Sequence, residues 1–191
     1  MSKLNVDQKA IIDLLSDKKA DFLIPDYQRP YAWSEEQCQT LWDDIFLFSF
    51  PDNNYEAFDD NEEYFLGSIV TYKNEAGKSE VIDGQQRLTT LMLILRAFYD
   101  KFESMKDKNS ILTRDRIEKC IWKTDTFGTA DKNTLKIDSE VATDNDKDEF
   151  LELLRTGVVK KGSKSQYVLN YQFFQKKIDE FLQEFPSFFP Y

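Results

Sequence analysis

Val81-Ile82-Asp83-Gly84-Gln85-Gln86-Arg87-Leu88-Thr89-Thr90-Leu91 is the stretch from which the fold is read. Apolar, β-branched residues run up to Asp83 and a glycine follows. From Gln86 onward, Leu88, Leu91, Met92, Leu95, Phe98 and Phe102 recur on one helical face. The pattern predicts a strand, a sharp bend and a long amphipathic helix. A bend of this kind makes an anion site. The first-turn N–H groups have no carbonyl partner, the helix dipole presents its positive end, and Gly84 admits a close ligand or a bent backbone. Arg87 in that first turn opposes the dipole by about 0.3–1 kcal/mol, a placement that a bound anion would explain. Asp83, at the strand's carboxyl end, is positioned to hold a divalent ion or polarise a water. The alternative is that Asp83 caps the helix and Arg87 pairs with an acidic neighbour.

Upstream, Tyr64 to Tyr72 is rich in β-branched and aromatic residues, and Asn74 to Lys78 supplies a turn into Ser79–Asp83, so a hairpin is expected. Gly77-Lys78-Ser79 matches the tail of a P-loop, but residue 72 is tyrosine where the first glycine is needed, and a strand follows. Nearer the start, Val6 to Leu15 reads as a helix capped by Asn5, and Asp21 to Pro25 as a brief strand. Tyr27-Gln28-Arg29-Pro30-Tyr31-Ala32-Trp33 is too proline-marked for a helix. Its arginine among three aromatics suits a wall for a base or a second phosphate contact, the alternative being a lid on the core. Ser34 and Gln37 form a capping box for a helix running to Phe50, and the acidic stretch Asp52–Glu63 reads as a mobile loop.

Downstream, helices are expected around Arg114–Trp122, Asp146–Leu154 and Ser165–Leu182, with a short strand at Thr134–Asp138 and polar breaks at Lys123–Asn133 and Lys160–Lys164. Lys136, Asp138 and Glu140 alternate as on an exposed strand, and Asp144-Asn145-Asp146 reads as a helix cap. The fold class is α+β, a small sheet with surrounding helices. Residues 1–125 form the expected core, and 126–191 a mainly helical extension packed on it. The aromatic tail from Phe185 to Tyr191 suggests that a further domain follows.

The 191 residues are 41% apolar and 15% aromatic, which suits a globular chain. Histidine is absent, and with it Ser-His-Asp and Cys-His pairs, HExxH zinc sites and histidine-dependent nuclease centres. Cys38 and Cys120 stand outside any CxxC spacing, so reduced thiols and a cytoplasmic location are expected, without a signal or membrane span. Net charge is −10, yet it is concentrated: between Pro30 and Tyr72 there are ten acidic residues and no Lys or Arg, and elsewhere charges balance. That block reads as a solvated face, and charge alone neither indicates nor excludes nucleic-acid binding.

The segments Ile24–Trp33 and Ile82–Leu91, with Tyr64-Phe65-Leu66-Gly67-Ser68-Ile69 between them, resemble the N-terminal domain of GmrSD-type, modification-dependent restriction enzymes. The likeness continues through Asp144-Asn145-Asp146 and Asn170-Tyr171-Gln172-Phe173-Phe174. The resemblance implies a ParB/sulfiredoxin-like fold and NTP hydrolysis (GTP or ATP, with Mg2+) that licenses DNA cleavage in anti-phage defence. Carried over, the Asp-Gly-Gln-Gln-Arg core places the nucleotide and metal site at Asp83, Gly84, Gln85, Gln86 and Arg87, with Asp83, Gln85, Gln86 and Arg87 as the expected catalytic residues and the two glutamines bonding phosphate oxygens or the attacking water. Asp83 is then the metal ligand, Arg29 a second phosphate ligand, and Tyr27, Gln28 and Ser68 further nucleotide contacts. The family's usual histidine-bearing nuclease cannot lie within these residues, so cleavage would belong to further sequence or a partner. A second reading is a non-enzymatic module that sets the same cradle against a DNA backbone or senses modified DNA.

Overall fold

The computed structural model describes residues 6–59 and 61–185. It is an α+β molecule built on a four-stranded mixed sheet in which β2 (Val70–Lys73), β3 (Ser79–Asp83), β1 (Phe22–Ile24) and β6 (Ile137–Ser139) lie side by side in that order. Strands β1, β3 and β6 run parallel. Edge strand β2 returns antiparallel to β3 through the expected turn. β1 is buried along its length and β2 exposed along its length, as a central and an edge strand should be. The strand expected over Tyr64–Tyr72 is therefore shorter and later, because residues 64–69 have no ladder partner.

Helix α3 (Gln85–Glu103) leaves β3 directly and forms the centre of the molecule, packing against α4 (Lys108–Ile121) and α6 (Gln166–Glu184). It is buried on more than the single face read from the sequence: Thr90, Leu93, Ile94, Ala97 and Tyr99 are inside as well. Each fully buried large apolar side chain, such as Leu88, Leu93, Phe150 or Phe174, contributes about 1.5–3 kcal/mol. Helix α2 (Glu35–Ser49) starts at the Ser34–Gln37 capping box and lays Trp42 against Phe98 and Phe174 at ring separations of 6.3 and 6.4 Å. Among the described residues no helix is long and apolar enough to cross a membrane.

Helix α1 spans only Ile11–Ser16, so the expected start at Val6 is too early, and its proposed cap Asn5 lies outside the described residues. A strand that the sequence reading missed, β4 (Trp122–Thr124), pairs antiparallel with β5 (Ala130–Leu135) inside the stretch read as a polar break. The expected boundary near residue 125 runs through this hairpin, and β6 beyond it sits beside β1. Residues 126–191 thus contribute to the sheet rather than only packing upon it. Helix α5 (Lys147–Thr156) and α6 make the rest of that stretch mainly helical, while the tail from Pro186 lies outside the described residues.

Lys136 corrects the reading of an exposed alternating strand. It is fully buried, and its ammonium donates to the carbonyls of Leu15 at 2.9 Å and Asp17 at 2.6 Å, closing the C-terminal end of α1. Burial holds its pKa below the usual lysine value. Asp144 likewise does not cap α5. It is buried and accepts a hydrogen bond from the Tyr167 hydroxyl, and Asp146 is the N-cap residue without a side-chain bond.

Candidate functional site

Asp83, Ile24 and Ser139 end three parallel strands on one edge of the sheet, where α3 begins. The chain turns from β3 into α3 through Gly84, whose φ of 86° makes it a left-handed N-cap. A Cβ there would stand 2.7 Å from the Ser68 carbonyl oxygen and 3.2 Å from Ile69 Cα. Glycine is required because residues 68 and 69 pass so close, which resolves the choice between a close ligand and a close backbone in favour of the backbone.

Arg87 donates from Nη1 to the carbonyl of Ser68 at 3.0 Å and lies over Gly67, where a Cβ would sit 2.6 Å from its Cζ. Among the described residues it has no carboxylate partner. Asp83 is exposed and supplies no helix cap. Neither alternative drawn from the sequence, a capping aspartate or an ion-paired arginine, is the arrangement found. The first helical bond of α3 runs from Leu88 N to Gly84 O, so the N–H groups of Gln85, Gln86 and Arg87 have no main-chain acceptor.

The loop from Pro25 to Trp33 covers this edge and is fastened by carboxamides. Gln28 Nε2 reaches the carbonyls of Val81 at 3.2 Å and Ile82 at 2.9 Å, where β1 no longer runs alongside β3. Gln85 Nε2 donates to Arg29 O at 3.0 Å. Gln86 donates to Pro30 O at 3.1 Å and accepts from Ala32 N at 2.8 Å. Asn170 Nδ2 adds bonds of 2.8 Å to the Tyr31 hydroxyl and the Trp33 carbonyl. Of the three aromatics expected to wall a base, Tyr31 is core. It stacks on Tyr167 at 4.8 Å and bonds Thr90 at 2.8 Å, and its burial raises its pKa. Trp33 packs on the core, and only Tyr27, 64% exposed, faces solvent. Arg29 is exposed and, among the described residues, unpaired.

Arg29, Gln85, Thr89, Ser139 and Tyr167 line a narrow cleft with no room, as it stands, for a water molecule. Ser139 Oγ within it is buried with no hydrogen-bond partner. The sequence reading did not single out Ser139, because its only signal is its register beside Ile24 in β6. Asp83 and Arg87 lie outside the cleft lining.

A family model described as the GmrSD restriction endonuclease N-terminal domain matches residues 11–189. The chain belongs to this family. As a GmrSD N-terminal domain it is a restriction-system domain, and the match spans every element from α1 to α6. No curated protein matches the chain. Among the described residues of this GmrSD N-terminal domain, no three Asp, Glu or Cys side chains cluster as a metal site. An ion such as Mg2+ does not require such a cluster, since it takes one or two protein carboxylates and draws its remaining ligands from phosphate and water.

Proposed function

We propose that this domain binds, and hydrolyses, a nucleoside triphosphate at the start of α3, as the regulatory part of a DNA-targeting restriction system. The observation that supports this most is the convergence of three parallel strand ends on the N-terminus of α3, which carries Arg87 and is covered by the loop that carries Arg29, neither arginine having a carboxylate partner among the described residues. Ligands of α/β sheets are received at this edge, and two arginines can neutralise phosphate charge there with forked hydrogen bonds. The free N–H groups of the first turn add donors with no competing acceptor. Because the cleft beside Arg29 is closed, the phosphates lie across its mouth and not within it.

In this reading Arg29 and Arg87 hold the phosphate oxygens and offset the charge that develops during transfer to water. Asp83 holds Mg2+ or orients the attacking water; the ion, when bound, supplies further charge neutralisation on the phosphates. Gln85 and Gln86 take a positioning role, since their amides already fix the backbone that carries Arg29. Purified protein is expected to release phosphate from GTP or ATP with Mg2+, and Arg87→Ala and Asp83→Ala to abolish release. Saturating nucleotide raises the melting temperature, by about 2.7 kcal/mol of stabilisation at a hundredfold excess over Kd. Wild-type turnover in both variants overturns the assignment. DNA binding that weakens steeply with salt, with no nucleotide-dependent melting shift, favours the DNA-sensing module instead.

A further inference from the structure

The loop that carries Arg29 is gripped alternately from two sides. Helix α3 holds the carbonyls of Arg29 and Pro30 and the N–H of Ala32 through Gln85 and Gln86. Helix α6 holds the residues between and after them: Asn170 Nδ2 donates to the Tyr31 hydroxyl and to the Trp33 carbonyl, both at 2.8 Å. With no ion-pair partner among the described residues, the exposed Arg29 side chain is aimed by the backbone on which it stands. Whatever fixes residues 29–33 therefore fixes where its guanidinium is presented to a phosphate.

Packing alone does not account for an asparagine at position 170. It is 1% exposed in the interior of a 19-residue helix, alongside the buried Tyr167, Tyr171 and Phe174 of the same helix. Leucine has the same branching, a better helix propensity and no amide to desolvate. The amide answers a different need: both of its hydrogens are spent on the loop, while Oδ1 accepts from Gln166 Nε2 at 3.0 Å. The bonds then run in one direction. Thr90 Oγ1 donates to the Gln86 carbonyl at 2.8 Å, which leaves the Tyr31 hydroxyl to donate to Thr90 Oγ1 and to accept from Asn170. A buried polar chain whose members are all satisfied specifies one geometry, and this one ties α6 to the beginning of α3 through the loop between them. We propose that Asn170 is a positioning residue for the phosphate site at the start of α3, a role that rests on the nucleotide reading: from α6 it holds residues 31 and 33 so that Arg29 meets the phosphates.

Exchange and binding are measured on the whole chain. Backbone hydrogen exchange without nucleotide reads the loop directly: Asn170→Leu speeds exchange at the Ala32 amide, which donates to Gln86 Oε1, by about tenfold or more, and leaves the α3 amides beyond Thr90 as protected as in the wild type. Calorimetry with GTP and with ATP, each with Mg2+, reads the consequence in a cycle of wild type, Asn170→Leu, Arg29→Ala and the double variant. Asn170→Leu weakens binding about tenfold when Arg29 is present and less than about twofold when it is absent. Tyr31→Phe retains the ring and its stack on Tyr167, removes one acceptor of Asn170 and weakens binding about threefold; it carries the same cycle if Asn170→Leu does not fold. Equal weakening with and without Arg29 marks a general structural role and overturns the proposal, as does wild-type binding in Asn170→Leu or wild-type exchange at Ala32. A wild-type protein that binds neither nucleotide overturns the nucleotide reading itself, and the role falls with it; failure of the cycle or of the exchange in a protein that binds nucleotide overturns the role of Asn170 alone.

Discussion

Arg96, in the middle of α3, uses its guanidinium fully. Nε and Nη2 donate to Asp100, Nη1 donates to the Leu154 carbonyl at 3.2 Å, and the group lies 5.0 and 5.3 Å from the rings of Tyr99 and Trp122. Arg87, in the first turn of the same helix, is half-buried, donates to one carbonyl and, among the described residues, meets no carboxylate. Two arginines on one helix thus do different work. Where the surrounding chain supplies acceptors on every side, the cation is a structural pin; where it supplies one, the cation remains available to a ligand.

The contrast sets an order of expected effects on stability. Arg96→Ala strands the half-buried Asp100, to which Tyr171 also donates, and is expected to cost about 3–5 kcal/mol in a denaturant titration. Gly84→Ala comes next, at about 1–3 kcal/mol, since alanine at a φ of 86° meets the Ser68 carbonyl oxygen at 2.7 Å. It also displaces the backbone acceptor of Arg87, so the nucleotide-dependent stabilisation proposed above is expected to fall with it.

Alkaline pH acts through the buried thiols. Burial pushes Cys38 and Cys120 up from 9.0 to about 11. A folded-state pKa above the unfolded one contributes stability that is complete below pH 9 and is lost as pH rises towards 11, by about 1 kcal/mol per pH unit per thiol. Melting temperature should therefore fall between pH 9 and 10, and a Cys38→Ala/Cys120→Ala protein should show a flatter profile over that interval. Arg87→Ala is expected to have the smallest effect, under about 0.5 kcal/mol, while removing turnover. If it costs as much as Arg96→Ala, the distinction between the two arginines fails.

Much of this edge was legible in the sequence. The β3–Gly84–α3 junction, the hairpin before it and the Ser34 capping box are local signals, decided by residues adjacent in the chain. Lys136 could not be read because its acceptors, Leu15 and Asp17, lie more than a hundred residues away, and alternation with Asp138 mimics an exposed strand. Tyr31 resembled a ligand platform for the same reason: its stacking partner Tyr167 and its donor Asn170 arrive on α6. Gln85 and Gln86 stand in a local motif, but their engagement with Arg29, Pro30 and Ala32 depends on how the loop returns over the helix.

Among the described residues, that loop is bolted down without a single ionised side chain: Gln28, Gln85, Gln86 and Asn170 are all neutral amides. Electrolyte and acidity, which would strip an anion from Arg29 and Arg87, have nothing to act on in these fasteners. With the proposed anion removed by salt, the site should therefore keep its shape, and rebinding would need no refolding.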